Sequence, residues 1–67
     1  MMLKEKDMVM ITTHNFFGKC TYVGDGKIEK INRDKHGIEY IVRCDDGIPR
    51  SVSQGDKRFP KDTIMVM

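Results

Sequence analysis

The chain has 67 residues, with 12 Lys and Arg against 10 Asp and Glu, for a net charge of +2 at pH 7. A chain this short buries little core and makes one small domain, residues 1–67, and so mild a charge does not by itself demand a polyanionic partner. With 7 Ile, 5 Val and 4 Thr against one Leu and no Ala, the composition excludes a helical bundle and predicts an all-β domain.

Residues 4–7 form a charged lead-in. Residues 8–13, MVMITT, are a short apolar run rich in β-branched side chains and predict a first strand. His14-Asn15 breaks it, and Phe16-Phe17-Gly18 returns the chain through a loop. Residues 20–23 predict a second β-prone piece, closed by a reversal at Gly24-Asp25-Gly26, because Asp-Gly pairs beside β-branched runs favour tight turns. Residues 27–32 and 38–44 then predict the two arms of a central hairpin, joined through residues 33–37. Ile28 and Ile31 are three apart, so the first arm needs a bulge or bend. In the second arm Ile38, Tyr40, Val42 and Cys44 share a face directed at the core, opposite Glu39, Ile41 and Arg43. Ile41 marks that outer face as not wholly solvated.

Asp46-Gly47 predicts another turn. Pro49 can only start or edge a strand, so residues 50–53 are a short one, followed by a polar loop over 54–58. Phe59-Pro60 begins a tight turn that drops its aromatic ring inward, and residues 63–67 are the last strand, with Ile64 and Val66 on one face.

This order resembles the SH3-like small β-barrels, particularly the KOW and Tudor types. The residues that carry it are Asp7-Met8-Val9-Met10-Ile11 (like a GDxVxV opening strand), Phe17-Gly18, Gly26-Lys27-Ile28, Tyr40-Ile41-Val42 with Asp46-Gly47, and Phe59-Pro60 leading to Ile64. Lys6 stands where the KOW pattern has its glycine. The resemblance implies a five-stranded barrel with a short turn before the last strand. It also implies a binding function: nucleic acid, ribonucleoprotein or transcription machinery, or peptides.

No apolar run reaches the roughly 18 residues needed to span a bilayer, and Met1-Met2-Leu3 leads straight into charged residues rather than the core of a signal peptide. The expectation is a cytoplasmic protein without a membrane partner. Cys20 and Cys44 read as free, half-buried thiols. His14, Cys20, His36 and Cys44 lack the close pairs that aim two zinc ligands from one loop, so neither metal nor other cofactor is expected. No enzyme is expected either, since Ser51 and Ser53 lack a nucleophile elbow and Asp45-Asp46 is better read as a turn.

The basic residues Lys27, Lys30, Arg50, Lys57, Arg58 and Lys61 are the candidate nucleic-acid contacts. With Phe59 or Tyr22 beside them they suit RNA or single-stranded DNA, since cations neutralise phosphates and exposed aromatics stack on bases. The competing reading is a solvated charged face with Phe59 in the core. Phe16, Phe17, Tyr22, Tyr40 and Phe59 could instead line a Tudor-like aromatic cage for a methylated cation.

Met65 and Met67, with Met8 or Met10, form a candidate protein-interaction strip. Usage rich in Lys, Ile, Asp and Met resembles that of AT-rich bacteriophage genomes. The alternative function is therefore a phage-encoded modulator of a larger host protein. The C-terminal strand is also expected to support a weak homodimer through its open edge.

Overall fold

Each β-branched run can bury one side of its pleat and leave the other wet, the condition for antiparallel strands over a shared core. The computed structural model describes residues 3–67, where these runs form β1 (Met8–His14), β2 (Cys20–Asp34), β3 (Gly37–Cys44), β4 (Pro49–Gln54) and β5 (Thr63–Val66). All five pair antiparallel in one sheet of order β4-β3-β2-β1-β5, so the last strand returns beside the first. No helix occurs among the described residues, hence none long and apolar enough to cross a membrane. Met1 and Met2, on which the signal-peptide expectation partly rests, lie outside the described residues.

The core draws on every strand: Val9 and Ile11, then Ile28, then Tyr40, Val42 and Cys44, then Val52 and Ile64. The alternation read in residues 38–44 is the one observed, with Ile38 half-buried against the core and Ile41 half-buried on the other face. The bulge is present too. Ile28 pairs with Val42 and Lys30 with Ile41, leaving Glu29 as the extra residue. That slip lets Ile31 pack on the core as Ile28 does, although the two are three apart.

The expected reversal at Gly24-Asp25-Gly26 does not occur. β2 runs through it as one strand of 15 residues, pairing with β1 in its first part and with β3 in its second. Gly26 is there for space. A Cβ at that position would lie 2.5 Å from the Arg43 carbonyl oxygen and 2.6 Å from Val42 Cγ1. The identical dipeptide Asp46-Gly47 does turn, with Gly47 at φ 83° and open space around it.

The backbone ladder ends at β4 and β5, so it does not close into a barrel. Side-chain contacts tie β4 to the far part of the sheet and to the loop before β5. The Arg50 guanidinium of β4 sits 3.7 Å above the Tyr22 ring of β2, and the Ser53 N–H of β4 donates to Asp62 Oδ2 at 3.4 Å. The short turn before the last strand is present, held by Phe59 N–H to the Asp56 carbonyl and Asp62 N–H to the Phe59 carbonyl.

Lys6 has φ 74°, the only non-glycine with positive φ among the described residues. It closes a turn in which Asp7 N–H donates to the Lys4 carbonyl at 3.1 Å, while Lys6 N–H reaches the Ile28 carbonyl at 2.8 Å. Lys6 therefore adopts a backbone conformation that glycine takes at no steric cost.

Candidate functional site

Asn15 organises the loop between β1 and β2. Its side-chain oxygen accepts the N–H groups of Phe17 at 2.9 Å and Lys19 at 3.0 Å, and its backbone bonds both Lys19 and Gly18. Gly18, at φ 79°, supplies the left-handed step. A loop closed so tightly on itself has no slack to fold its side chains under. Phe16 is left 74% exposed and Phe17 94% exposed. Two adjacent phenylalanines held in water by loop hydrogen bonds carry a standing hydrophobic cost of the order of 2 kcal/mol each.

The facing wall comes from the loop before β5. The Asp62 side chain is almost fully buried and ties three elements together. Its carboxylate meets His14 Nδ1 at 3.0 Å at the end of β1 and accepts the Ser53 amide of β4. That anchor sets Phe59 beside Phe16, with ring centroids 5.1 Å apart and planes tilted by 38°. Phe59 is thus half-buried and shared with the site, not dropped into the core as expected. Between the two walls lies a cleft of about 250 Å³, with Phe16, Phe17 and Phe59 as its apolar lining and Arg58 and Lys61 at its rim.

The six basic candidates separate into three places. Lys57, Arg58 and Lys61 lie on the loop that carries Phe59. Lys27 and Lys30 are exposed on β2, opposite Arg43 and Ile41. Arg50 caps the mouth of the core over Tyr22 and grips Asp46 with two bonds of 3.0 Å. Asp46 is held below its usual carboxylate range by Arg50 first and by the Ile48 amide second. The sequence reading placed Phe16 and Phe17 in a loop but left them outside the basic site. The available signal was Asn15 before them and Gly18 after them, since two adjacent aromatics in a tight turn cannot both face one core.

Arg58 is fixed by Asp56, a buried carboxylate that accepts from Arg58 Nε, Nη2 and backbone N–H. These bonds, the side-chain ones foremost, hold the Asp56 carboxyl at about 2 against an ordinary 3.8. Because the folded value lies below the unfolded one, the pair's contribution to stability is complete above about pH 4 and is lost as pH falls towards 2. Asp56→Asn is therefore expected to lower the melting temperature at neutral pH and to flatten its decline between pH 4 and pH 2. Thermal melts across that range check it.

The methionine strip is present and wider than expected. Met10 pairs with Met65, and Met67 N–H bonds the Met8 carbonyl at 3.0 Å, so four methionines share the outer face of β1 and β5. All four are exposed, as is Val66 at the end of the inward face. The thiols are free but unlike: Cys44 is buried and Cys20 exposed, where both were expected half-buried.

Fold and site together define a small all-β domain on one five-stranded antiparallel sheet, with an aromatic cleft at one end. No family model, curated protein or solved structure matches the chain.

Proposed function

We propose that this protein is a non-catalytic module that binds single-stranded nucleic acid, RNA or single-stranded DNA, in the Phe16–Phe59 cleft. The observation that carries the reading is the pair of phenylalanines held in water by the Asn15 loop, with Arg58 and Lys61 at the rim. Every base has a π face, so aromatic platforms beside cations grip single strands with little regard to sequence. The strand order β4-β3-β2-β1-β5 and the glycine-like backbone of Lys6 support the resemblance to SH3-like barrels of the KOW type. By that resemblance the proposal extends to an association with ribonucleoprotein or transcription machinery.

Titration of a labelled ten-nucleotide oligo(dT) or oligo(U) tests this. Affinity is expected to fall steeply with salt, and Lys57→Ala with Arg58→Ala to flatten the log–log slope by about 0.7 to 1.4. Folded protein with no detectable binding at low salt would end the proposal.

A second reading, protein interaction through β5, has its own support. The Met67–Met8 bond sets the phase of the β1–β5 ladder. Thr63, Met65 and Met67 therefore turn their backbone polar groups to β1, and Ile64 and Val66 turn theirs outward. The β4 edge is blunted, since Pro49 has no donor and the Ser53 amide goes to Asp62. Two copies can pair with Ile64 of one opposite Val66 of the other, bringing their methionine faces together. So short a seam gives a weak dimer. Sedimentation is expected to show self-association in the high micromolar range that Met65→Lys with Met67→Lys removes. Monomers in both cases would refute it.

A further inference from the structure

We propose that the tip of the β2–β3 hairpin and the loop after β4 form a phosphate pocket. It would hold an internal backbone phosphate of the same strand whose bases stack at Phe16, Phe17 and Phe59. This rests on the nucleic-acid reading and extends it to a second subsite.

The two loops are some twenty residues apart in sequence, and their backbones meet. A Cβ at Gly37 would lie 2.5 Å from the Gln54 carbonyl oxygen. Asp34 Oδ1 accepts the His36 N–H at 2.8 Å and fixes the tip. Between them opens a cleft of about 340 Å³ lined by Lys35, His36, Gly55, Asp56, Lys57 and Arg58.

Its charge is unbalanced. The single carboxylate in the lining, Asp56, is buried and already occupied by Nε and Nη2 of Arg58. Arg58 Nη1 makes no bond, and Lys35 and Lys57 enter no ion pair among the described residues. Two lysines, an arginine and a histidine thus line one opening, against the Asp56 carboxylate held by Arg58 and the neighbouring Asp34, whose Oδ1 accepts the His36 N–H, so basic groups outnumber acidic ones. Gly55 has nothing within 4 Å of where its side chain would be, so the approach is open. Several cationic N–H donors lining one opening suit the oxygens of a phosphate, which accept from all sides. Carboxylate groups, being planar and two-oxygen, would use fewer of them.

Arg58 also lines the aromatic cleft. A strand that crosses Arg58 with bases on the phenylalanines can lay a neighbouring phosphate between Lys35 and Lys57. Lys35 lies in the 33–37 connection of the hairpin, and only folding brings that tip to the 55–58 loop.

The test compares wild type with Lys35→Ala/Lys57→Ala, two exposed positions whose loss leaves the melting temperature unchanged. Ten-nucleotide oligo(dT) is used with a 5′-hydroxyl and with a 5′-phosphate. The proposal expects roughly tenfold weaker binding by the double variant and a salt slope reduced by about 0.7 to 1.4. It also expects equal affinity for the two oligonucleotides. Unchanged affinity and slope in the variant would overturn the pocket while leaving the aromatic cleft standing. Tighter binding of the 5′-phosphate form, lost in the variant, would overturn the internal-phosphate assignment in favour of a strand end. Failure of wild type to bind either oligonucleotide would overturn both this inference and the nucleic-acid reading.

Discussion

Phe16→Ala combined with Phe17→Ala is expected to weaken binding of single-stranded RNA or DNA by about 100-fold while leaving the protein folded. Base–aromatic stacking contributes roughly 1–3 kcal/mol per base, so each ring lost should cost at least several-fold and the pair the product of the two. The protein stays folded, because both rings are mostly in water already. The aromatic contact removed is that of Phe16 with Phe59, an interaction of about 0.5–1.5 kcal/mol. The melting temperature should therefore fall by about 2–12 °C. Fluorescence anisotropy beside a thermal melt separates the effects. Binding unchanged in the double variant would show that the exposed rings serve something other than bases.

Gly26→Val gives the largest expected effect on the fold. The added side chain meets the Arg43 carbonyl oxygen and Val42 Cγ1, and both belong to β3, which cannot retreat without breaking its ladder with β2. Overpacking at such a point costs about 3 kcal/mol or more. A chain of 67 residues has only about 3–10 kcal/mol in total, at the usual ~0.05–0.15 kcal/mol per residue. The variant should be largely unfolded at 37 °C by circular dichroism. Gly47→Ala is the control. Its Cβ meets nothing, so it suffers only the positive φ, a cost of about 1–2 kcal/mol. Equal effects from the two would mean that Gly26, like Gly47, is there for a turn.

That contrast also marks how far the sequence could be read. Asp25-Gly26 and Asp46-Gly47 are the same dipeptide beside the same kind of residues, and only the second turns. Glycine in a strand and glycine in a turn give one local signal. What separates them is the approach of β3 over Gly26, a contact between residues far apart in the chain. Where the signal was periodic it held, as for Tyr40, Val42 and Cys44 in the core and for the slip between Ile28 and Lys30.

The site was less legible for the same physical reason. Lys57, Arg58 and Lys61 could be singled out by charge, but their aromatic partners come from a loop some forty residues earlier. Asp62 joins the two loops by reaching His14 and Ser53 at once, and no local pattern announces that. Arg50 looked like a free cation in sequence and is instead committed to Asp46 and Tyr22. The methionine strip was readable because its parts alternate along strands, although the pairing of Met10 with Met65 needed the sheet order.

A nucleic-acid strand seated in the aromatic cleft would change the surroundings of the two loops that wall it. Amide chemical-shift mapping of the isotopically labelled chain, titrated with ten-nucleotide oligo(U) at low salt, tests that placement most directly. Progressive shifts are expected in residues 14–19 and 56–62, and at residues 35–37 of the hairpin tip where a phosphate of the same strand would sit, with the amides around Met8, Met10 and Met65 unmoved. Shifts confined to the β1–β5 face, or none anywhere on a folded protein, would contradict it.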